Sequence, residues 1–287
     1  MTMDKAAISR NFNRAAPGYD EHSRLQEIVL QRLLEQVPLF RVRPQWILDL
    51  GSGTGRGTKS LQKHFSNAGF IQLDIAEAML HIARQRGKRW FGRDHFVCAD
   101  AEQLPLKEQS FDMVFSSLML QWSDALATSL QELKRVLRPG GLLLFSTLGP
   151  GSLYELNESW RATGDTVSLH SYPDIQSVGN ALMASGFDQP VLAAERLVLT
   201  YRDLRSLLMD LKLTGTLNAS TARRHTLTGK NRYLQCQEAY EKFRKDGKLP
   251  ATYEVIYGHA WTTGLQDREG DTRPLRFMPR RILRSGE

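Results

Sequence analysis

Three glycines at every second position follow a short apolar run at residues 47–55, which read ILDLGSGTG. The run predicts a strand, and Gly51, Gly53 and Gly55 predict a tight turn from strand to helix, because glycine tolerates positive φ and lets the backbone approach a ligand closely. The G-x-G-x-G spacing after Asp49 differs from the G-x-G-x-x-G of dinucleotide-binding oxidoreductases and indicates S-adenosylmethionine rather than NAD. A glycine-rich surface turn without a ligand is the alternative interpretation.

Two further carboxylates stand at the ends of predicted strands. Residues 70–73 predict the second strand, and Asp74 follows it, 19 positions after Gly55. A carboxylate in this place can accept hydrogen bonds from both ribose hydroxyls, although a solvated Asp at a strand end is the alternative. The third predicted strand ends at Asp100, which could accept a hydrogen bond from an exocyclic amine such as that of adenine. These acidic side chains are expected to line one edge of the sheet.

Strands and helices alternate between these residues. A fourth strand is predicted at 111–117, and the helix at 124–137 carries leucines at helical spacing, Leu126, Leu130, Leu133 and Leu137. The sequence LRPGG at 137–141 is expected to end this helix, and a fifth strand follows at 141–149. The alternation predicts the α/β fold class, with a doubly wound, mostly parallel sheet that binds its ligands at the carboxyl ends of the strands.

The chain resembles the class I S-adenosylmethionine-dependent methyltransferases over about residues 46–148. Four segments lie in the order usual for that family: DLGSGTG, LDIAEAML, CADAEQLPLKEQSFDMVFSS and LKRVLRPGGLLLFST. Four others are similar to the malonyl-acyl-carrier-protein O-methyltransferases of biotin synthesis: ISRNFNRAAPGYDEHSRLQ, GPGSLYELNESW, LTYRDLRSLLMDLKLTGTLNA and LPATYEVIYGHAW. This narrower resemblance extends from about Ile8 to Trp261, and methyltransferases that act on quinones or on proteins share its first half.

The resemblance implies a Rossmann-like sheet of seven strands, the last of which is antiparallel between the fifth and the sixth. Apolar patterns in the second half predict the remaining elements: a helix over residues 175–182, a sixth strand at 191–201, helices at 203–213 and 233–245, and the last strand at 251–261. We therefore expect five regions: a helical cover segment at 1–45, a cofactor-binding core at 46–200, a helical lid or substrate-docking insertion at 201–248, the final strand at 249–264, and a basic, disordered tail at 265–287.

The same resemblance assigns the candidate site residues. Cofactor contacts are expected from ten residues: Asp49, Gly51, Ser52, Gly53, Gly55, Asp74, Ile75, Asp100, Ala101 and Ser117. The segment AAPGYD is expected to fold over the cofactor, with Tyr19 positioning the reactants, although a tyrosine that merely caps the core is equally compatible with the sequence. A carboxylate is already ionised at neutral pH, so no general base is expected.

A cation is expected to hold the substrate carboxylate, because an Arg fork binds a carboxylate with two hydrogen bonds and Lys offers a point charge. The candidates, between which the sequence does not choose, are Arg14, Arg24, Arg161 and Lys212. His170 and Tyr172 stand in a predicted loop near the same edge and could equally be ordinary loop residues. No metal site is expected, because Cys98 and Cys236 are the only cysteines and lie in predicted regular elements.

Length and composition agree with a soluble enzyme. The chain has 287 residues, of which 41% are hydrophobic, and can bury a sizeable core. No apolar run approaches the roughly 18 residues of a membrane span, and the polar first residues lack the apolar stretch of a secretory signal. We therefore expect an unprocessed, cytoplasmic monomer that binds neither membrane nor nucleic acid.

The basic excess is concentrated in the last third of the chain. Residues 196–287 carry 18 Lys and Arg against 10 Asp and Glu, whereas residues 1–195 carry 20 against 21. A basic surface attracts an acidic partner, which could be nucleic acid, an anionic membrane or an acidic protein. The resemblance favours acyl carrier protein bearing a malonyl group, or malonyl-CoA. The basic balance of residues 196–287 motivates contacts from Arg223, Arg224, Lys230 or Arg232, between which it does not choose, and a solvated basic face is the alternative.

Three functions are compatible with the sequence. The first is a carboxyl methyltransferase acting on a carrier-bound malonyl group. The second is a methyltransferase for another small molecule, such as a quinone precursor. The third is a non-catalytic assembly protein with the same fold, against which the intact DLGSGTG, Asp74 and Asp100 argue.

Overall fold

A computed structural model of the protein describes residues 3–87, 93–164, 172–216 and 229–264. Within these ranges one sheet has the strand order β3-β2-β1-β4-β5-β7-β6. The strands are β1 (Trp46–Leu50), β2 (Gly69–Asp74), β3 (Asp94–Cys98), β4 (Phe111–Ser117), β5 (Leu137–Leu148), β6 (Phe187–Tyr201) and β7 (Leu249–Thr262). His170, Arg223, Arg224 and the predicted tail lie outside the described residues.

The first five strands are parallel to one another, and β7 is antiparallel to both β5 and β6. The predicted fold class is therefore confirmed, including the last strand between the fifth and the sixth. Parallel strands place their carboxyl ends on one edge of the sheet, and the loops after β1, β2, β3 and β4 consequently meet there.

The helices divide into three groups along the chain. Three precede the sheet: α1 (Lys5–Ala15), α2 (Tyr19–His22) and α3 (Arg24–Leu34). Three follow individual strands of the parallel part: α4 (Arg56–His64), α5 (Glu77–Arg86) and α6 (Leu126–Val136). Four belong to the second half: α7 (Tyr154–Arg161), α8 (Ile175–Ala184), α9 (Leu204–Leu213) and α10 (Lys230–Glu241).

The central strands are buried because helices cover both faces of the sheet. On one face Val29 and Leu33 of α3 pack over β1, β4 and β5, and on the other Leu130 and Leu133 of α6 do so. All four side chains are at most 1% exposed. Each such side chain stabilises the fold by about 1.5–3 kcal/mol relative to an exposed one, so these layers hold the carboxyl edge of the sheet in place.

The predicted boundaries differ from the structure where backbone pairing competes with local turn signals. β5 begins at Leu137, before the LRPGG sequence has ended, because Leu137 pairs with Phe111 and the register then shifts. Gly140 adopts a φ of 73° within this irregular stretch. α10 ends at Glu241, earlier than predicted, because Arg244 donates a 2.7 Å hydrogen bond to the Gly247 carbonyl and helps to reverse the chain.

Candidate functional site

The glycine loop after β1 turns sharply and leaves one side open. Gly51, Gly53 and Gly55 have φ values of 70°, 54° and 79°. A Cβ at Gly51 would lie 2.4 Å from Met119 Cγ, so this position is closed to any larger residue. A Cβ at Gly53 would meet no atom within 4 Å, although Gly53 lines a cavity. The loop is therefore packed on one side and open toward the cavity on the other.

Asp74, at the end of β2, is held beside this loop by backbone amides. Its Oδ2 accepts a 2.9 Å hydrogen bond from Gly53 N, and its Oδ1 accepts a 2.8 Å hydrogen bond from Ala76 N. Burial raises the pKa of Asp74, while these amide hydrogen bonds act in the opposite direction. Each carboxylate oxygen has a second lone pair, so Asp74 can accept further hydrogen bonds from a diol in the cavity.

Asp100 lies on the same cavity and is paired with a residue that the sequence did not single out. Lys5 Nζ of α1 lies 3.0 Å from Asp100 Oδ1 and 2.8 Å from Glu102 Oε1. Lys5 also lines the cavity. α1 is thus fastened to the loop that follows β3, and the Asp100 carboxylate acquires a nearby counter-charge.

This first cavity collects most of the predicted cofactor contacts. Seven of them line it: Gly51, Gly53, Asp74, Ile75, Asp100, Ala101 and Ser117. Asp49, Ser52 and Gly55 do not. The last three lie behind the cavity wall and shape the loop.

The buried position of Asp49 explains its separation from the cavity. Asp49 is 2% exposed, and its Oδ2 accepts a 2.6 Å hydrogen bond from Thr58 Oγ1 of α4. Burial raises the pKa of Asp49 to about 6. Its carboxylate therefore supports the start of α4. When this carboxylate is ionised, its burial lowers the stability of the fold.

The cover segment is anchored to the glycine loop through one carboxylate. Asp20 accepts a 2.7 Å hydrogen bond from Thr54 Oγ1 and forms ion pairs with Arg86 and with Arg56, the latter at 3.6 Å. Arg86 Nε also donates to the Thr54 carbonyl at 2.8 Å. These contacts hold the neighbouring Tyr19 on the first cavity.

Aromatic rings close the top of this cavity. The Phe12 ring lies 6.4 Å from that of Tyr19 and 5.4 Å from that of Trp122, the second pair edge to face. Burial, followed by the nearby Asp74 carboxylate, raises the pKa of the Tyr19 phenol above its ordinary value. Tyr19 is therefore a neutral hydroxyl and not a base.

A second cavity adjoins the first between the cover segment and the second half of the chain. The two share wall residues, among them Gln26, Gln121 and Thr216. Three tyrosines also line the second cavity, Tyr172, Tyr201 and Tyr253. Among the residues that the structure describes, no Lys or Arg lines it. Its polar character consequently comes from hydroxyls, amides and one pair of titratable groups.

That pair consists of His22 of α2 and Asp210 of α9. His22 Nδ1 lies 3.5 Å from Asp210 Oδ1, and the Tyr201 hydroxyl donates a 3.1 Å hydrogen bond to Asp210 Oδ2. Burial, followed by the Asp210 charge, raises the pKa of Tyr201 above its ordinary value. Asp210 is thus engaged from both sides and ties α9 to the cover segment.

Gln121 stands where the two cavities meet. Its side chain is 8% exposed, and its Nε2 donates a 2.6 Å hydrogen bond to the Leu118 carbonyl. Its Oε1 has no hydrogen-bond partner among the described residues. An unpaired buried acceptor costs about 1–3 kcal/mol, so this oxygen is a candidate contact for a bound ligand.

The structure does not bring the four predicted carboxylate anchors into either cavity. Arg14, Arg24, Arg161 and Lys212 are all exposed, and none lines a cavity wall. Arg161 Nη1 instead lies 2.6 Å from Glu158 Oε1. Arg24 directly precedes the cavity residue Leu25 in the chain. The expectation of a cation inside the site therefore does not match the described walls.

Two absences complete the description. Within the described ranges, no group of three or more His, Cys, Asp or Glu side chains is placed to hold a metal ion. In the same part of the chain, no helix has the length and apolar character needed to cross a membrane.

The chain is similar to known methyltransferases over most of its length. Residues 48–145 match the family model described as a methyltransferase domain. A malonyl-[acyl-carrier protein] O-methyltransferase of Methylovorus sp. (strain MP688) is 44% identical over 97% of this chain and 96% of the relative. A protein of the same name from Gallionella capsiferriformans (strain ES-2) is 45% identical over 90% of this chain and 91% of the relative.

Solved structures share the fold at low sequence identity. The YcgJ protein of Bacillus subtilis superimposes with a TM-score of 0.57 at 16% identity, over 83% of this chain and 99% of that one. Phosphoethanolamine N-methyltransferase 2 of Haemonchus contortus, solved with S-adenosyl-L-methionine, gives a TM-score of 0.53 at 18% identity, over 81% of this chain and 52% of that one.

Proposed function

Because the chain belongs to the family of the malonyl-[acyl-carrier protein] O-methyltransferases, we propose that it methylates the free carboxylate of a malonyl thioester carried on acyl carrier protein. S-Adenosylmethionine is the methyl donor, and the reaction is an early step of biotin synthesis. The observation that carries the proposal is the connection, at Gln121, between a cavity bordered by Asp74 and the glycine loop and a second cavity lined by tyrosines.

The first cavity has the groups that S-adenosylmethionine requires. Asp74 offers lone pairs to the ribose hydroxyls, and Asp100 offers an acceptor beside the adenine position. The open side of Gly53 leaves room for the amino-acid part of the molecule, which a Cβ would otherwise approach. When bound, this donor supplies a methyl group activated by a sulfonium sulfur, which a carboxylate oxygen can attack in line.

The walls of the second cavity suit a reaction in which charge disappears. The anionic carboxylate and the cationic sulfonium become a neutral ester and a neutral thioether, so surroundings of low polarity favour the transition state over the separated charges. A buried Lys or Arg would bind the ground-state anion more strongly than the transition state and would slow this step. The described walls contain neither.

Tyrosine hydroxyls can orient the substrate without adding charge. Burial raises the pKa of Tyr172, Tyr201 and Tyr253, so all three are neutral donors at physiological pH. The carboxylate needs no deprotonation, because its reference pKa is near 4. The chain's residues therefore align the carboxylate oxygen, exclude water and hold the thioester in place.

The product of this reaction has lost the negative charge of the malonyl group. Enzymes that elongate acyl chains can then accept the methyl ester in place of an uncharged fatty-acid primer. The carrier thioester itself is unchanged by the methyl transfer, which consumes only the carboxylate at the far end.

An isotope-transfer assay tests the proposal. Methyl-labelled S-adenosylmethionine is incubated with malonyl carrier protein, with acetyl carrier protein and with a quinone precursor. Label should enter only the malonyl substrate and should be released as methanol by mild base, as expected for a methyl ester. Transfer to the quinone precursor alone would indicate a different small-molecule methyltransferase, and no transfer to any acceptor would indicate a non-catalytic protein.

A further inference from the structure

Helix α9 has a buried face and an exposed face of unlike chemistry. Leu204, Leu207 and Leu211 are buried against the core. On the exposed face lie Arg205, Met209 and Lys212, which we call the α9 stripe. Their spacing of four and three residues places them on one side of the helix. Met209 is 44% exposed and stands between the two cations.

The two cations of the α9 stripe have no counter-charge. Within the described part of the chain, neither the Arg205 nor the Lys212 side chain forms a hydrogen bond or an ion pair. Other arginines nearby are paired: Arg202 Nε lies 3.2 Å from Asp203 Oδ2, and Arg244 Nε lies 2.6 Å from Glu241 Oε2. The two cations of the α9 stripe are therefore available to pair with carboxylates of a partner.

The same helix forms part of the wall of the second cavity. Asp210, Leu211 and Thr214 line that cavity, and Asp210 is joined to His22 of the cover segment. Arg24, also exposed, directly precedes the cavity residue Leu25. A carrier protein whose thioester enters the second cavity must lie within the length of its pantetheine arm from the mouth of that cavity. The α9 stripe is thus on the correct side of the molecule to meet it.

We propose that the α9 stripe is the docking surface for an acidic carrier protein. Carboxylates of the carrier pair with Arg205 and Lys212, and an apolar side chain of the carrier packs on Met209. This proposal rests on the proposed function, because it assigns the partner of that reaction to a place. It also distinguishes α9 from the rest of the basic insertion: Lys230 and Arg232 belong to α10, which packs against α7, whereas α9 packs against α2 of the cover segment.

The test compares two charge reversals of equal size in the full chain. Arg205→Glu/Lys212→Glu alters the α9 stripe, and Lys230→Glu/Arg232→Glu is the matched control in the same insertion. Each protein is assayed with malonyl carrier protein, malonyl-CoA and malonyl-N-acetylcysteamine thioester. The assays are run at about 0.15 M ionic strength, where the Debye length is about 8 Å and long-range steering is weak.

For the α9 variant we expect the KM for the carrier protein to rise about tenfold with kcat retained, because a lost charge at an interface rim acts mainly on association. The KM values for both small thioesters should stay within about twofold, since neither needs the docking surface. The α10 variant should resemble the unaltered protein. Raising the salt concentration should weaken use of the carrier protein by the unaltered enzyme and should reduce its advantage over the α9 variant.

Several results would overturn the proposal. Equal losses on all three substrates would show that α9 acts through the cavity wall. A loss shared by the carrier protein and malonyl-CoA, but absent for the N-acetylcysteamine thioester, would assign the cations to the phosphate of the pantetheine arm. Equal effects of the α9 and α10 variants would show that the carrier protein responds only to the overall charge of the insertion. If the unaltered protein methylates none of the malonyl thioesters, the proposed function fails and not the docking surface alone.

Discussion

The Thr54 hydroxyl of the glycine loop donates a 2.7 Å hydrogen bond to the Asp20 carboxylate of the cover segment. Arg86 and Arg56 pair with the same carboxylate. The Asp20 carboxylate therefore joins the loop that forms the floor of the first cavity to the segment that forms its roof. We expect Asp20 to affect cofactor binding, although Asp20 does not line the cavity.

Replacing Asp20 with Asn should weaken binding of S-adenosylmethionine about tenfold, since hydrogen bonds to charged groups contribute about 1.5–3 kcal/mol and Asn retains only part of each. Titration calorimetry measures the dissociation constant. The exposed Asp188→Asn serves as a control that removes the same charge elsewhere. An Asp20→Asn protein with unchanged affinity would mean that the cover segment keeps its place without this carboxylate.

Replacing Asp74 with Ala should weaken binding of the same ligand more strongly, by a factor of about 10 to 100 for each charge-assisted hydrogen bond to the ribose that is lost, since each is worth about 1.5–3 kcal/mol. The affinity of Asp74→Asn should lie between those of the unaltered protein and of Asp74→Ala, since one oxygen remains as an acceptor. Thermal unfolding checks that the loop still folds, as Gly53 N and Ala76 N lose their partner in the Ala variant. If Asp74→Ala binds S-adenosylmethionine with unaltered affinity, Asp74 does not bind the ribose hydroxyls.

NAD should not compete with S-adenosylmethionine. The glycine spacing differs from that of dinucleotide-binding loops. In addition, the Met119 side chain already fills the space beside the Gly51 Cα. The measurement is displacement of labelled S-adenosylmethionine by saturating NAD, with unlabelled S-adenosylhomocysteine as the positive control. Displacement by NAD would contradict the cofactor assignment.

Replacing Gln121 with Leu should lower kcat about tenfold or more while leaving the dissociation constant of S-adenosylmethionine within a few fold, because Gln121 stands at the junction of the cavities and misplacement of reactants there is costly. Steady-state kinetics and calorimetry separate the two quantities. Gln26→Leu, at another shared wall position, is the comparison. A loss confined to cofactor affinity would place Gln121 in the cofactor site alone.

Ionisation of Asp49 should make the protein less stable as the pH rises from about 4 to about 6. Its folded-state pKa is raised to about 6 by burial, so in this range the folded chain binds more protons than the unfolded chain, and the free energy of unfolding falls with pH. The expected contribution is roughly 2 to 3 kcal/mol.

Urea unfolding of the unaltered protein and of Asp49→Asn across this pH range measures the effect as a difference. The difference matters because His259, whose pKa burial lowers to about 4, contributes with the opposite sign in both proteins. A difference that does not change with pH would show that Asp49 titrates normally.

Most of the residues expected to contact the cofactor meet on the first cavity, because they follow strands that are recognisable one at a time. Asp74 and Asp100 each end a short apolar segment, and the parallel order of the strands brings them together. Tyr201 and Tyr253 were not predicted as cavity residues, because their positions depend on pairing between distant segments of the chain. They lie on β6 and β7, where antiparallel pairing sets Tyr253 opposite Leu197, and no local pattern reveals that register.

The four residues expected to hold the substrate carboxylate lie outside the described walls of both cavities. The expectation of a cation considered only how the substrate carboxylate binds. Methyl transfer, however, removes the charge of that carboxylate, so the reaction does not require a cation beside it. Arg24 and Lys212 are close to the second cavity in the chain, and the structure leaves both exposed. Lys5 was missed because a single lysine in an amphipathic N-terminal helix carries no spacing signal.

Helix α2 is only four residues long, and its two ends belong to different cavities, Tyr19 to the first and His22 to the second. A ligand in either cavity therefore orders the same turn of backbone. Whichever ligand binds first bears that entropic cost, and the other binds to a segment already fixed. Binding should consequently be cooperative, with each ligand tightening the other by the same factor.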